Sequence, residues 1–160
     1  MRNPILIAAM IAAFAAPAFA DDLTLKDVRA MSDDELYALA DTLSSEDETR
    51  LYQQARKEFP ENGLGLQSAL NKLSKRQDEL TACQAAVASG EASDLRALNE
   101  IEPGRYFSIL RIVSVPTAEV LDMTSDERRA EARRAGTQTN KILRDLRECR
   151  REYRKKFGDD

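Results

Sequence analysis

The sequence predicts a small all-α protein built on a long antiparallel helical hairpin, residues 64–89 against 124–157, preceded by three short helices. Three observations predict it. Apolar residues recur at helical spacings over both long segments: Ala69, Leu73, Leu80, Cys83 and Val87 at steps of four, seven, three and four, and Ile142, Leu146, Cys149, Tyr153 and Phe157 at steps of four, three, four and four. Three Ser/Thr-x-x-acid sequences stand ahead of apolar runs near the start of the chain. The only two cysteines, Cys83 and Cys149, each lie on one of the long seams.

Residues 1–20 read as a cleavable signal peptide, followed by a single helical domain over 21–160. Arg2 supplies the positive start, Ile5 to Phe14 the apolar middle, and Ala18-Phe19-Ala20 the small-x-small cleavage site. The apolar run falls short of the roughly 20 residues a stable membrane span needs. The expectation is export to a bacterial periplasm, with no membrane span after cleavage. The remaining length suits one domain with a real core.

Thr24-Leu-Lys-Asp27, Ser32-Asp-Asp-Glu35 and Ser45-Glu-Asp-Glu48 read as capping boxes. In each, the hydroxyl accepts from a free backbone N–H and the acid three residues on reaches back. Leu23 with Val28, and Met31 with Leu36, add hydrophobic staples. Leu36, Leu39, Ala40 and Leu43 form the apolar face of the second helix, and Leu51, Tyr52, Ala55 and Phe59 that of the third, which Pro60 ends. Glu61-Asn62-Gly63 reads as a turn. Gly90 caps the helix over 64–89, and Arg76 interrupts its seam as a side chain snorkelling at the helix edge.

Ser93 to Glu100 reads as a short helix stopped by Pro103-Gly104. Arg105 to Val115 is the most apolar part of the exported chain, and its β-branched and aromatic content favours a strand. A short β-hairpin over 105–123 would pair it with Glu119 to Met123. The polar positions Arg105, Ser108, Arg111 and Ser114 fit neither period, and a mostly buried helix needs no strand partner, so helix is the reading adopted. An apolar groove for a ligand is the sharper reading of this segment and core the plainer one. In the last helix, Gly136 beside Thr137 and Thr139 marks a point of kinking or breaking, and Gly158 the end.

Histidine is absent, which removes the commonest general base and transition-metal ligand. No acidic run has the alternating ligands and turn glycine of a calcium loop. No cofactor or metal is expected. The cysteines lack Cys-x-x-Cys spacing and a histidine partner, so in an oxidising compartment they read as one structural disulfide. Charge is zoned: residues 21–63 carry 12 acids against 5 bases, and residues 124–160 carry 8 acids against 12 bases.

Glu58 to Gln67, Glu-Phe-Pro-Glu-Asn-Gly-Leu-Gly-Leu-Gln, resembles the lytic transglycosylases, which place a catalytic Glu before a Gly-Leu-Met-Gln-like stretch. The resemblance implies Glu58 as general acid on cell-wall glycan. Phe59 stands where that family has Ser, the spacer is shorter, and the later family motifs are missing. Met31-Ser-Asp-Asp-Glu-Leu36 and Met123-Thr-Ser-Asp-Glu-Arg128 resemble the Leu-Thr-x-x-Gln motif of Spy/CpxP-type periplasmic chaperones, with Glu for Gln and Met for Leu. Any stapled capping box produces the same pattern, so that family is not assigned.

Arg144, Arg147, Arg150, Arg151 and Arg154 give the last helix the look of an anion- or partner-binding surface. Nucleic acid is not expected, because the chain is exported, acidic overall and offers only one aromatic, Tyr153, among these bases. An anionic cell-envelope polymer is a further candidate. The plainer reading is a solvated face neutralised by pairs such as Arg144–Glu148 and Glu148–Arg151. The function expected is non-enzymatic: a periplasmic adaptor or chaperone-like module that binds a protein partner. The alternatives are a glycan-cleaving enzyme using Glu58 and an inhibitor or immunity-type protein.

Overall fold

A computed structural model describes residues 23–91, 95–98 and 104–158. The expected signal peptide over 1–20 lies outside the described residues, as do the flanks of the expected Ser93–Glu100 helix. Eight helices appear among the described residues, and no strand. They are α1 (Leu25–Arg29), α2 (Asp33–Thr42), α3 (Ser45–Glu58), α4 (Glu61–Ser89), α5 (Leu95–Leu98), α6 (Gly104–Val113), α7 (Ala118–Asp122) and α8 (Ser125–Phe157).

The first three helices start largely as their caps dictate. Thr24 and Ser32 close full capping boxes with Asp27 and Glu35. The third helix starts one residue earlier than its Ser45 pattern implies. Ser44 is the N-cap, its Oγ accepting from Asp47 N at 3.1 Å and donating to the Asp47 carboxylate at 2.7 Å. Ser44-x-x-Asp47 and Ser45-x-x-Glu48 are overlapping versions of one signal, and Ser44 takes the extended backbone a cap requires.

Two further corrections fall at α4. Glu61-Asn62-Gly63 is the first turn of this helix, not a connecting turn, because the change of direction is made in the extended backbone of Phe59 and Pro60. Pro60 serves as N-cap, where its missing N–H costs nothing. Arg76 does not snorkel. It is 5% exposed and pairs at 2.8 Å with Glu79, itself 4% exposed, while its guanidinium lies over the Phe107 ring. A charge taken out of water persists only with such a partner.

The helix pairing is as the seams predict, α4 against α8, but the direction is opposite. Asn62 donates to Ser125 Oγ at 2.6 Å where both helices begin. Cys83 meets Cys149 further along, and Gly90 meets the Phe157 ring where both end. The two long helices are therefore parallel, not an antiparallel hairpin. What makes this feasible is the return path. After Gly90, α6 and α7 run back along α4, with Tyr106 at Lys75, Ser114 at Asn71 and Thr117 at Gln67. The chain is thus delivered to the start of α4, and α8 climbs beside it.

The β-hairpin alternative for 105–123 is overturned, and the helical reading stands. Tyr106, Ile109, Leu110 and Ile112 of α6 are buried among α1 to α4. A helix enclosed on several sides reads as nearly continuous apolar sequence, so β-branched content does not decide it. This segment is core. Ser114, buried just beyond α6, donates to the Leu110 carbonyl and accepts from Asn71 at 3.1 Å.

α8 runs unbroken through Gly136, so the break that the sequence allowed there does not occur. Nothing lies within 4 Å of the position a Cβ would take there. Gly90 adopts φ +76°, as expected of a left-handed cap. It is also a close approach, since an added Cβ would sit 2.9 Å from the Phe157 ring.

Candidate functional site

Cys83 and Cys149 are joined as a pair, with Cα atoms 6.3 Å apart, a separation typical of a disulfide. Cys83 is fully buried and Cys149 nearly so, beside Leu80, Ala97 and Leu146. Such placement suits a structural link.

Glu58, the residue implied by the transglycosylase resemblance, is exposed at the end of α3. Its Oε2 accepts from Arg29 Nη1 at 2.6 Å. A general acid for glycan cleavage needs a carboxyl protonated near neutral pH, produced by burial in apolar surroundings. Glu58 has no such apolar enclosure, being exposed and paired with Arg29.

The five arginines of the basic stretch do not share one face. Arg150 turns inward, 5% exposed, and its Nε donates to the Ala97 carbonyl at 2.9 Å, tying α8 to α5. Arg144, Arg147, Arg151 and Arg154 point outward. The neutralising pairs Arg144–Glu148 and Glu148–Arg151 do not form. Among the described residues, Arg133, Arg144, Arg147 and Arg151 make no ion pair at all, in contrast to Arg129 with Asp126 and Arg134 with Glu131.

Sequence reasoning missed a polar cluster where α2, α4 and α6 meet. Tyr37 and Tyr106 stack with ring centroids 3.8 Å apart, and the Lys75 ammonium lies 4.8 Å from the Tyr106 centroid. Lys75 donates to Asp33 at 2.9 Å, and the Tyr106 hydroxyl to the other Asp33 oxygen at 3.3 Å. The cluster borders a cleft of about 560 Å³ that also includes Asn71, Asp78 and Leu110. Burial alone would lower the Lys75 pKa, but hydrogen bonds with Tyr106 and Asp33 outweigh it and hold the amine well above its usual value. Burial, foremost, pushes the Tyr106 hydroxyl up. Both groups move away from neutral pH, so neither is poised for proton transfer there. No sequence signal joins Tyr37 to Tyr106, since α6 must fold back along α4 to bring them together.

Two other hollows follow from the parallel pair. One of about 490 Å³ lies where α4 and α8 both begin, lined in part by Arg111, Arg128 and Arg129. Arg128 is fully engaged there, donating to the Val120 and Leu121 carbonyls and to Asn62. The other, about 570 Å³, follows the α4–α8 seam between Leu70, Leu73, Leu80 and Ile142. Among the described residues, no cluster of acids and cysteines is placed to hold a metal, and no helix is long and apolar enough to cross a membrane.

The class these features define is an all-α protein of two parallel long helices carrying a joined cysteine pair and an exposed arginine row. No family model, curated protein or solved structure matches the chain.

Proposed function

We propose that the protein is an exported, non-enzymatic periplasmic module that binds a protein partner, stabilised by a disulfide between Cys83 and Cys149. The observation that carries this reading is the set of exposed arginines without ion-pair partners on the outer face of α8. A guanidinium left without a local acid is a ready donor to a partner's carboxylate, with fork geometry suited to it. The face is rigid, being one continuous helix held along its length by α4 and by the cysteine pair. Rigid presentation limits the entropy lost on binding.

Photo-crosslinking in the periplasm tests it. A photoreactive residue at Asn140, on the outer face, should capture a defined protein, and one at Lys57, on α3, should not. Recovery of no protein from either position rules the reading out. The glycan-cleaving alternative is decided separately, by incubating wild type and Glu58→Gln with purified peptidoglycan. Cleavage abolished by the substitution would replace binding with turnover.

A further inference from the structure

We infer that the outer face of α8 docks an acidic polypeptide segment, which passes closest to the helix at Gly136; this names the partner chemistry and rests on the binding reading above. Arg133, Gly136, Asn140, Arg144, Arg147 and Arg151 follow one another at spacings of three, four, four, three and four, the line of a single helix face. All six are exposed, and none is acidic. Arg129 and Arg154 extend the line at either end, so it spans some 25 residues, about 38 Å at 1.5 Å per residue.

Gly136 supplies an independent observation. Glycine inside a helix is destabilising relative to alanine. Here that cost has no internal return, because a Cβ would meet nothing within 4 Å and the backbone is ordinary helix. The remaining physical use of a missing Cβ is close approach by something outside the chain. Gly136 and Asn140 form a low, uncharged saddle between Arg133 and Arg144, which lie about 16 Å apart along the axis.

That profile separates the candidate occupants. A stiff, thick polyanion would bridge the saddle without descending to it, whereas a flexible acidic polypeptide can bring its thin backbone down to Gly136. A membrane surface would call for an apolar face beside the basic one, and the apolar face of α8 is buried on α4. A polypeptide with acidic residues on either side of a small or neutral stretch fits both halves of the pattern.

The test uses the mature protein and three probes: poly-L-glutamate long enough to span the row, poly-L-glutamine, and phosphatidylglycerol vesicles. Poly-L-glutamate should bind, with affinity falling as salt is raised, and poly-L-glutamine should not. Replacing Arg144, Arg147 and Arg151 together by Ala should weaken poly-L-glutamate binding roughly tenfold or more, since charge-assisted bonds are the strong ones. These side chains have no internal ion pair, so the circular dichroism of the variant should be unchanged. Gly136→Ala should raise the melting temperature yet weaken binding. Binding of vesicles but not of poly-L-glutamate, unchanged affinity in the triple variant, or unchanged affinity in Gly136→Ala would each overturn the inference. If the Asn140 crosslink persists in the triple variant, the partner reading survives while the arginine row is excluded. If poly-L-glutamate binds but nothing crosslinks, the reverse holds.

Discussion

The two ends of the α4–α8 pair are held in different ways. Around the start of α4, the chain wraps α1, α2, α3 and α6 into one cluster, with fourteen buried apolar residues among those described, from Leu23 to Ile112. Toward the end of α4, the cluster shrinks to Leu80, Cys83, Ala97, Leu146 and Cys149, covered on one side by the single turn of α5. The buried Arg76–Glu79 pair stands between them. Apolar burial contributes in proportion to area, so the first region is expected to be ordered largely by packing, and the second to lean on the Cys83–Cys149 pair. The outer arginine face of α8 runs past both. The proposed binding surface would therefore lie partly over a thin core, with the cysteine pair keeping the helix ends from separating.

The largest effect that would break this comparison is removal of the link. Replacing Cys83 and Cys149 by Ser opens a loop whose ends are 66 residues apart and should cost about 4 kcal/mol in the chain-entropy account. Native-state hydrogen exchange should show the loss concentrated in residues 80–89 and 142–157, while α2, α3 and α6 keep their protection. A uniform loss across the chain would mean that the two regions are one cooperative unit. Thiol titration of the unreduced wild type in denaturant checks the premise, with no reactive thiol expected.

A smaller effect sharpens the same contrast from the other side. Leu51 is fully buried in the first region, so Leu51→Ala should cost about 3 kcal/mol by lost burial and cavity formation. Combined with the Cys→Ser pair, the two losses should add to within about 0.5 kcal/mol, because distant sites without shared partners are independent. Urea titrations of the two variants and their combination measure this directly. A marked departure from additivity would show that strain or packing passes between the clusters.

Much of this architecture was legible in sequence, and the failures have separate physical origins. Which helices pair could be read from Cys83 and Cys149, because a thiol on each apolar seam constrains partner choice. Their direction could not, since the same two seams satisfy a disulfide in either orientation. Direction is set by the return path through α6 and α7, whose sequence is apolar on too many sides to show a helical period. The N-terminal caps were legible because capping is local, and the one-residue error at Ser44 arose from two overlapping versions of the same signal. Arg76, Arg128 and Arg150 were harder. A buried arginine is recognised by its partners, and Val120, Leu121 and Ala97 supply backbone carbonyls, which leave no trace in side-chain identity. The absent Arg144–Glu148 pair shows the converse, since correct spacing permits an ion pair without requiring one.

The smallest effect expected is an acid sensitivity weighted toward the first region. Asp27 and Glu35 complete the caps of α1 and α2, and Asp47 accepts from the Ser44 cap hydroxyl of α3, whereas Glu127 alone plays this part for α8. Hydrogen bonds to Thr24, Ser32, Ser44 and Thr124, respectively, hold all four carboxyls below their ordinary values. A carboxyl whose pKa is lower folded than unfolded contributes stability at pH above its unfolded value. That contribution is lost as pH falls through the folded one. Stability should therefore be flat near neutrality and decline below about pH 4.5, where the unfolded chain begins to take up protons first. Ser32→Ala removes one cap and should cost about 1 kcal/mol at neutral pH. Because Glu35 then loses the hydroxyl contact that helps hold its pKa down, the acid limb of the variant should be shallower than that of wild type. Melting temperatures followed by circular dichroism between neutral pH and pH 3 measure both slopes. A variant with an acid limb as steep as wild type would show that the caps are not what the acid attacks. The contrast between the two regions would then rest on packing and the cysteine pair alone.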